Sequence, residues 1–510
     1  MSEDKLPAGW ALATLGELLD RLQYGYTAKA EPNAAGPRFL RITDLGEAGV
    51  EWDKVPTCTI SNEDLQKYLL AEDDIVFARS GSIEKAWRVL EPPNAVFASY
   101  LIRGRPIFKP LSKLIAHFLK SRSYLQQIGA AAAGSGMQNV NAQKLAGVCL
   151  PLPPLPEQKR IVRKIEDLQS RSKRAREALE SVPALIEKFR QSVLAAAFRG
   201  DLTKEWREKN KDKIEPASEL LKRIRVERRK KWEEEQLRKF QAAGKPPKDD
   251  SWKRKYTEPE AVDTEGLPEL PEGWCWLPIG QLCDVVRGGS PRPAGDCRYY
   301  DGPIPFLKVA DLTNSQGIYV DEAKSSIKQA GLSRTRWVAP STLMLSNSGA
   351  TLGVPKICTF GTTFNDGVAA FLGLAETDLK YHCYFWMSKT RSLRAINQGA
   401  AQPNLNTDLI ANVMIPLCSI EEQEQVVAKL ERTLSTCANI STVVGERLLQ
   451  IDSLDQSILA KAFRGELVPQ DPSEEPASVL LGRIKAEKEQ GAPAKKTTKG
   501  KLQKTKSVEA

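Results

Sequence analysis

Gln191-Ser-Val-Leu-Ala-Ala-Ala-Phe-Arg-Gly200 and Gln456-Ser-Ile-Leu-Ala-Lys-Ala-Phe-Arg-Gly465 are one ten-residue passage written twice, 265 positions apart. Working outward, the same doubling appears along most of the chain. Leu6-Pro-Ala-Gly-Trp10 returns as Leu270-Pro-Glu-Gly-Trp274, and Phe39-Leu-Arg-Ile-Thr-Asp-Leu45 returns as Phe306-Leu-Lys-Val-Ala-Asp-Leu312. Pro151-Leu152 and Glu157-Gln158 match Pro416-Leu417 and Glu422-Gln423, and Pro216-Ala-Ser218 matches Pro476-Ala-Ser478. A period of about half the chain is far too long for a solenoid. It describes a duplicated two-part unit, a globular domain followed by helices, for which pseudo-two-fold symmetry is expected.

The helical part shows in the spacing of apolar residues. From Glu157 onward Ile161, Ile165, Leu168, Leu179, Ile186 and Phe189 follow a pattern alternating between three and four, which is a heptad seam. The second copy keeps the frame through Val426, Leu430, Ile440, Val444, Ile451 and Ile458. Narrow seams with densely charged flanks require a partner, and the simplest is the other copy, in an antiparallel coiled coil. Two separate core helices are the alternative. Pro156 suits a helix start, Gly200 and Gly465 suit helix ends, and Pro183 should kink or interrupt the first helix.

The expected fold class is therefore α+β: two tandem globular domains separated by long helices that pair as an antiparallel coiled coil. The segments are a first globular domain over 1–150, a helical spacer over 151–203, a charged helix and linker over 204–267, and a second globular domain over 268–414. A second spacer over 415–468, a short helix over 469–490 and a basic, disordered tail over 491–510 complete the chain. Short β-type runs such as Asp74-Ile-Val-Phe-Ala78 and Thr342-Leu-Met-Leu-Ser346 place strands in both globular domains.

Composition narrows the function. With 510 residues the chain needs several cores. A mean hydropathy of -0.38 and the lack of a long apolar run argue against membrane spans. The acidic start Met1-Ser-Glu-Asp-Lys5 shows no signal peptide, so a cytoplasmic location is expected. Nine scattered cysteines contain no Cys-x-x-Cys pair, which points to reduced structural thiols rather than disulfides or zinc. The formal charge of +10 and pI near 9.0 fit a polyanionic partner.

Signatures of chemistry are missing. No Gly-x-x-x-x-Gly-Lys-Ser/Thr loop is present, and neither is an Asn/Asp-Pro-Pro-Tyr/Phe methyltransferase motif. The two histidines, His117 and His382, occupy one repeat position among apolar residues, where a structural role is expected. Gly134-Ser135-Gly136 lacks the third glycine of a dinucleotide turn, and its counterpart Gly399-Ala400-Ala401 departs further. No catalytic residue and no metal ligand is assigned.

Basic and amide side chains near glycines are present instead. Arg79, Ser80 and Gly81, followed by Lys85 and Arg88, bring cations to a turn that allows close backbone approach, a combination suited to phosphates. The second copy carries Asn347, Ser348, Gly349 and Lys356. Arginine favours guanine and asparagine adenine, so the exchange of Arg79 for Asn347 is a candidate for altered base choice, with an ordinary turn as the other reading. Arg41 and Lys308 hold the basic position of the repeated Phe-Leu-Arg/Lys block. Gln138, Asn139 and Asn141, with Gln402, Asn404 and Asn406, either read base edges or cap turns.

Taken together, the paired Leu-Pro-x-Gly-Trp openings, Pro-Leu-Pro-Pro-Leu-Pro-Glu-Gln over 151–158, the two Ala-Phe-Arg-Gly-Asp/Glu-Leu helix ends over 197–202 and 462–467, and Trp206-Arg207 resemble the specificity subunits of Type I restriction-modification systems. The resemblance covers nearly the whole chain. It implies a DNA-binding subunit in which each globular domain reads half of a split target in double-stranded DNA. It also implies that the helices bind two modification subunits carrying an S-adenosylmethionine-dependent adenine methyltransferase, and that restriction subunits join with their ATP and Mg. Cofactors then belong to the partners and none to this chain. The competing classes are a single-chain nuclease or methyltransferase with a duplicated fold, and a coiled-coil scaffold without sequence preference. The missing motifs weigh against the first, the paired globular domains against the second.

Overall fold

The computed structural model describes residues 6–32, 35–46, 49–132, 139–244, 247, 249–259, 262–374, 376–396 and 405–490. Gln138, Gln402, Asn404, both glycine turns near 134 and 399, and the lysine-rich tail over 491–510 lie outside these residues. The chain divides into two compact units, one formed by 1–180 with 445–510 and the other by 181–444. Each unit combines one globular domain with part of each long helix. The long helices are Leu155–Ala197 (α1) and Ile420–Ala462 (α3), and a shorter one follows each, Ala217–Ala242 (α2) and Ala477–Gln490 (α4).

In the first unit the start of α1 runs against the end of α3. Arg176 pairs with Asp452 at 2.5 Å, while Leu168 and Ala175 share a cleft with Ile451, Leu454 and Ile458. In the second unit Lys429 donates to the Leu202 carbonyl at 2.6 Å, and Thr203 reaches Glu422 at 2.7 Å. Numbers rise on one helix as they fall on the other, so the pairing is antiparallel. Ile161, Ile165, Val426, Leu430, Val444 and Ile458 are buried, and Leu168, Leu179, Ile186 and Ile451 are half-buried.

Two seam positions are corrected. Phe189 is 52% exposed and Ile440 44%. A straight helix of 3.6 residues per turn drifts about 20° per heptad from a strict seam. Late in α1 the buried stripe passes instead through Val193, Leu194 and Ala197, which enter the core of the second globular domain. Of the two outcomes expected at Pro183, a kink or an interruption, the interruption does not occur, because α1 remains helical across it. Gly200 and Gly465 end the helices with φ of +79° and +74°. The amides of Asp201 and Glu466 bond back to the carbonyls of Ala196 and Lys461, a C-terminal closure that requires a left-handed residue.

The repeated Leu-Pro-x-Gly-Trp and Pro-Ala-Ser motifs meet within each unit. The Ala217 amide that begins α2 donates to the Gly273 carbonyl at 2.8 Å, and the Ala477 amide that begins α4 donates to the Gly9 carbonyl at 2.8 Å. The tryptophans that follow these glycines bond to buried glutamates on the long helices, Trp10 to Glu157 at 3.0 Å and Trp274 to Glu422 at 2.8 Å. The motifs are thus joints between domain and helices.

Each globular domain is α+β. The first carries a two-stranded antiparallel ladder of Ala11–Thr14 with Cys149–Leu152. Beside it are a sheet ordered Gln23–Tyr24, Leu101–Gly104, Ile75–Ala78, Ala86–Arg88, and a parallel pair, Arg38–Leu40 with Ala95–Phe97. The second domain repeats the plan with more strands. Its Cys275–Pro278 pairs with Met414–Leu417, and its main sheet has five strands in the order Asp284–Arg287, Val368–Leu372, Thr342–Ser346, Pro355–Cys358, Tyr319–Val320. The parallel pair has grown to four strands around Tyr300–Leu307. No helix among the described residues is long and apolar enough to cross a membrane.

Candidate nucleic-acid interface

In both domains the chain leaves the central strand of the main sheet into a turn that is tied to two neighbouring segments by backbone bonds. In the first domain the Arg79 amide donates to the Tyr100 carbonyl at 3.0 Å, and the Val140 amide donates to the Arg79 carbonyl at 2.8 Å. Ser80 and Asn139 form a β-bridge. In the second domain the Asn347 amide donates to the Gly367 carbonyl at 2.9 Å, and the Leu405 amide to the Asn347 carbonyl at 2.8 Å. The backbone frame is shared, and the side chains placed on it differ.

The first domain presents a cation and aromatic rings there. The Arg79 guanidinium lies over the Tyr24 ring, 4.9 Å from its centroid, and the Tyr24 hydroxyl accepts the Ala142 amide at 3.0 Å. Stacking of this kind holds a guanidinium in place while leaving its N–H edge available. Tyr100 is 63% exposed, Asn139 is exposed, and Gly81 has φ of +71° with open space on its side-chain face. Arg79, Ser80, Gly81 and Asn139 are therefore brought together, and Tyr24 and Tyr100 join them.

Other candidates have structural partners. Asn141 caps the helix Ala142–Ala146 by accepting the Lys144 amide at 2.8 Å, and Asn406 caps Thr407–Ala411 by accepting the Leu409 amide at 2.7 Å. The capping alternative holds for both side chains. Lys85 donates to the Leu45 carbonyl at 3.0 Å, and Arg88 sits 3.2 Å from Asp73. Arg41 is held by Asp44 at 2.8 Å, and that hydrogen bond raises the already high guanidinium pKa.

Two candidates in the second domain are overturned as direct contacts. Asn347 is fully buried, and neither atom of its amide has a partner, so it offers no edge to a base. Its backbone amide is bonded to Gly367, where the first domain has the exposed Tyr100. Lys356 is buried as well, donating to the carbonyls of Ser315 and Gly317, and burial lowers its pKa. Ser348 and Gly349 stay in the turn, with Gly349 at φ of +80°.

Residues that the sequence did not single out take their place. The loop after Arg287 returns over Asp366, which accepts from the Ser290 hydroxyl at 2.7 Å and lies 3.6 Å from Arg292, while its carbonyl accepts from Arg287 at 2.5 Å. Ser290, Arg292 and Asp366 line a polar groove of about 450 Å³ together with Lys308, Lys324 and Asn365. Lys308 is exposed. The signal in the sequence was Gly288-Gly-Ser-Pro-Arg-Pro293, a rigid loop carrying one cation. Arg298 holds Asp296 in this loop at 2.6 Å and depresses its carboxyl to about 2.

Neither histidine is placed for proton transfer. His382 is fully buried with Nε2 2.8 Å from the Thr377 hydroxyl, and burial lowers its pKa to about 3. Burial likewise takes His117 to about 4. Among the described residues no group of histidine, cysteine and carboxylate side chains is placed to hold a metal ion.

Two diverged copies of one domain, each presenting polar and cationic loops from the same frame and each jointed to paired helices, define a bipartite DNA-recognition protein. The chain belongs to the family described as Type I restriction modification DNA specificity domain, whose model matches residues 7–181 and again 271–443. It is similar to the EcoKI specificity subunit of Escherichia coli K12, 24% identical over 96% of this chain and 97% of that one. It is also similar to the Escherichia coli EcoBI specificity subunit, 27% identical over 72% and 70%. Its fold matches the crystal structure of the HsdS subunit from Thermoanaerobacter tengcongensis, with a TM-score of 0.54 and 19% identity over 90% of this chain and 98% of that one. A chain from a study of assembly and conformational transition in a type I R-M system gives a TM-score of 0.60 at 19% identity, over 91% and 99%. The chain is thus a non-catalytic specificity subunit that recognises DNA, with catalysis in partner subunits.

Proposed function

We propose that the first domain reads its half-site through the surface made by Arg79, Tyr100 and Asn139, and the second through the groove of Arg292, Lys308 and Lys324. The observation that carries this reading is the shared backbone frame with exchanged side chains. Arg79 is replaced by the buried Asn347 and Tyr100 by Gly367, while the cation in the second domain comes from the loop after Arg287. Recognition proteins change sequence preference by changing side chains on a rigid scaffold, and this pattern is what such divergence leaves.

Two modification subunits carrying the S-adenosylmethionine-dependent methyltransferase dock on the long helices, and restriction subunits with their ATP and Mg join that complex in the cytoplasm. The exposed apolar residues Leu185, Phe189, Ile440 and Val443 on the second unit's helices, with Leu449 and Leu454 on the first unit's, support docking there. The test is methylome sequencing of cells that express the chain with its modification subunit. Substituting Arg79 should change bases in one half-site, and substituting Arg292 should change bases in the other. Changes in both half-sites from one substitution would overturn the assignment.

A further inference from the structure

The positive charge of this protein is concentrated away from its reading domains. Residues 225–259 hold 12 lysines and arginines against 7 acidic residues, and 491–510 hold 6 lysines against one glutamate. The rest of the chain carries 56 residues of each sign. The formal +10 is therefore the charge of two short segments.

The described segment is a folded arm. α2 begins docked on the second globular domain, with Ala217, Leu220 and Ile224 buried, Arg225 bonded to Gln281 at 2.9 Å and Arg228 paired with Asp284 at 2.6 Å. Beyond Arg228 the helix continues to Ala242, and a 3-10 turn over Asp250–Lys255 packs back against it. An aromatic clasp joins the two. Trp232 stacks on Trp252 with centroids 5.9 Å apart and meets Tyr256 at 5.4 Å, while Phe240 meets Trp252 at 5.8 Å. Trp252 is buried in an otherwise exposed segment.

Within the arm the glutamates are taken. Glu227, Glu234 and Glu235 pair one turn along the helix with Lys231, Arg238 and Lys239, and Glu233 and Glu258 pair with Arg229. Lys230, Arg254 and Lys255 are exposed and have no carboxylate partner among the described residues. A folded, net-positive element anchored on a DNA-reading domain fits one partner chemistry, the phosphate backbone. An acidic protein surface fits less well, because the arm offers few exposed apolar residues for an interface core.

We propose that residues 225–244 and 249–259 form a sequence-independent phosphate-binding arm, contacting DNA chiefly through Lys230, Arg254 and Lys255. The proposal rests on the DNA-recognition reading, since it gives that function its electrostatic component. It is tested with the full chain in complex with its modification subunit, comparing wild type with the triple variant Lys230→Gln, Arg254→Gln, Lys255→Gln. Affinity is measured against salt on a target duplex and on an unrelated duplex. Each lost phosphate contact lowers the slope of log affinity against log salt by about 0.9, so the triple variant is expected to lose about two to three in slope. Affinity should fall about tenfold or more, by the same factor on both duplexes, with the methylated bases unchanged. The charge-reversed variant, Lys230→Glu with Arg254→Glu and Lys255→Glu, should extend the loss. Unchanged slope and affinity would overturn the proposal, as would a loss confined to the target duplex. Failure to assemble with the modification subunit while DNA binding persists would overturn it in favour of protein docking. Were wild type itself to show no target preference, the specificity reading would fail while the change in slope stayed measurable.

Discussion

Glu422 accepts the indole N–H of Trp274 at 2.8 Å and the Nε–H of Arg207 at 2.9 Å, whereas its repeat counterpart Glu157 accepts Trp10 and leaves Oε1 without a partner. The cause is local sequence. Between Gly200 and Pro216 the chain builds a helix over Lys204–Lys209 that supplies Arg207, and the passage between Gly465 and Pro476 is shorter and lacks it. One joint is ion-paired, and in the other the buried carboxylate is held by its indole bond without an ion pair among the described residues.

Glu422→Gln should therefore destabilise the second unit by about 3 kcal/mol, because it leaves the Arg207 guanidinium without its countercharge. Arg207→Met, which removes the other partner, should cost a similar amount. The double variant should be less unstable than the sum of the two losses. Thermal unfolding of the three variants decides this, and strictly additive losses would show that the pair is not coupled.

Glu157→Gln should behave in the opposite way. Burial raises the Glu157 pKa above its ordinary 4.5, against the pull of the Trp10 bond and Arg160. A carboxyl whose folded value is raised binds its proton more tightly in the native state. Its favourable contribution is complete below 4.5 and declines as pH rises from there through the raised value. At neutral pH the glutamine variant should match or exceed wild-type stability, and its relative advantage should shrink on acidification toward about pH 4. Urea unfolding across that range measures the difference, and a disadvantage that grows with pH would refute the sign.

Gly200→Ala and Gly465→Ala should each cost about 1–2 kcal/mol from the left-handed conformation alone. A side-chain carbon would also stand 2.5 Å from Pro271 in one case and 2.5 Å from Pro7 in the other. Asparagine, which tolerates positive φ, should not rescue either position, because the clash remains. Denaturant midpoints of the alanine and asparagine variants check this.

Much of this architecture was legible in the sequence because duplication marks joints as well as domains. The Leu-Pro-x-Gly-Trp and Pro-Ala-Ser passages recur because Gly9 and Gly273 each receive the first amide of a helix, a backbone requirement that divergence cannot relax. The candidate sites were less legible. Asn347 reads as an exposed turn residue, yet the backbone bonds to Gly367 and Leu405 draw it inward, and nothing local in Asn-Ser-Gly announces those distant partners. Lys356 has the composition of a surface cation, but its ammonium closes the carbonyls of Ser315 and Gly317. Heptad spacing located the long helices but misplaced Phe189 and Ile440, since it does not register that each helix also serves a globular core.

Arg79→Ala should reduce discrimination at one base pair of one half-site by about 1–3 kcal/mol, with a smaller change in affinity for unrelated DNA. Tyr24→Leu should have part of the same effect, because it removes the ring on which the guanidinium rests. Asn347→Ala should leave the recognised bases unchanged, its amide being buried. Competition binding with single-base variants of the target separates these outcomes. Equal loss on every sequence would identify Arg79 as a phosphate contact instead.

The last expectation concerns the gap between half-sites. Both long helices pass from one unit to the other, α1 between Glu180 and Ser181 and α3 between Val444 and Gly445. In an antiparallel pair, a heptad added to one helix must face a heptad added to the other. Insertions at the repeat-equivalent positions Leu168 and Thr433 do not meet that condition, because Leu168 shares its cleft with Ile458 and Lys461, far along α3 from Thr433. The two crossing points are repeat-equivalent, 264 positions apart, and the antiparallel register set by Arg176 with Asp452 in the first unit runs toward both of them, so inserts there are the matched choice. Seven residues inserted after Glu180 and seven after Val444 lengthen each helix by about 10 Å. At about 3.4 Å per base pair the gap should grow by roughly three base pairs, with the bases of each half-site preserved. Methylome mapping of the lengthened protein tests this directly. An unchanged gap would show that the helices do not set the spacing, and new half-site bases would show that the insertions disturbed the reading domains themselves.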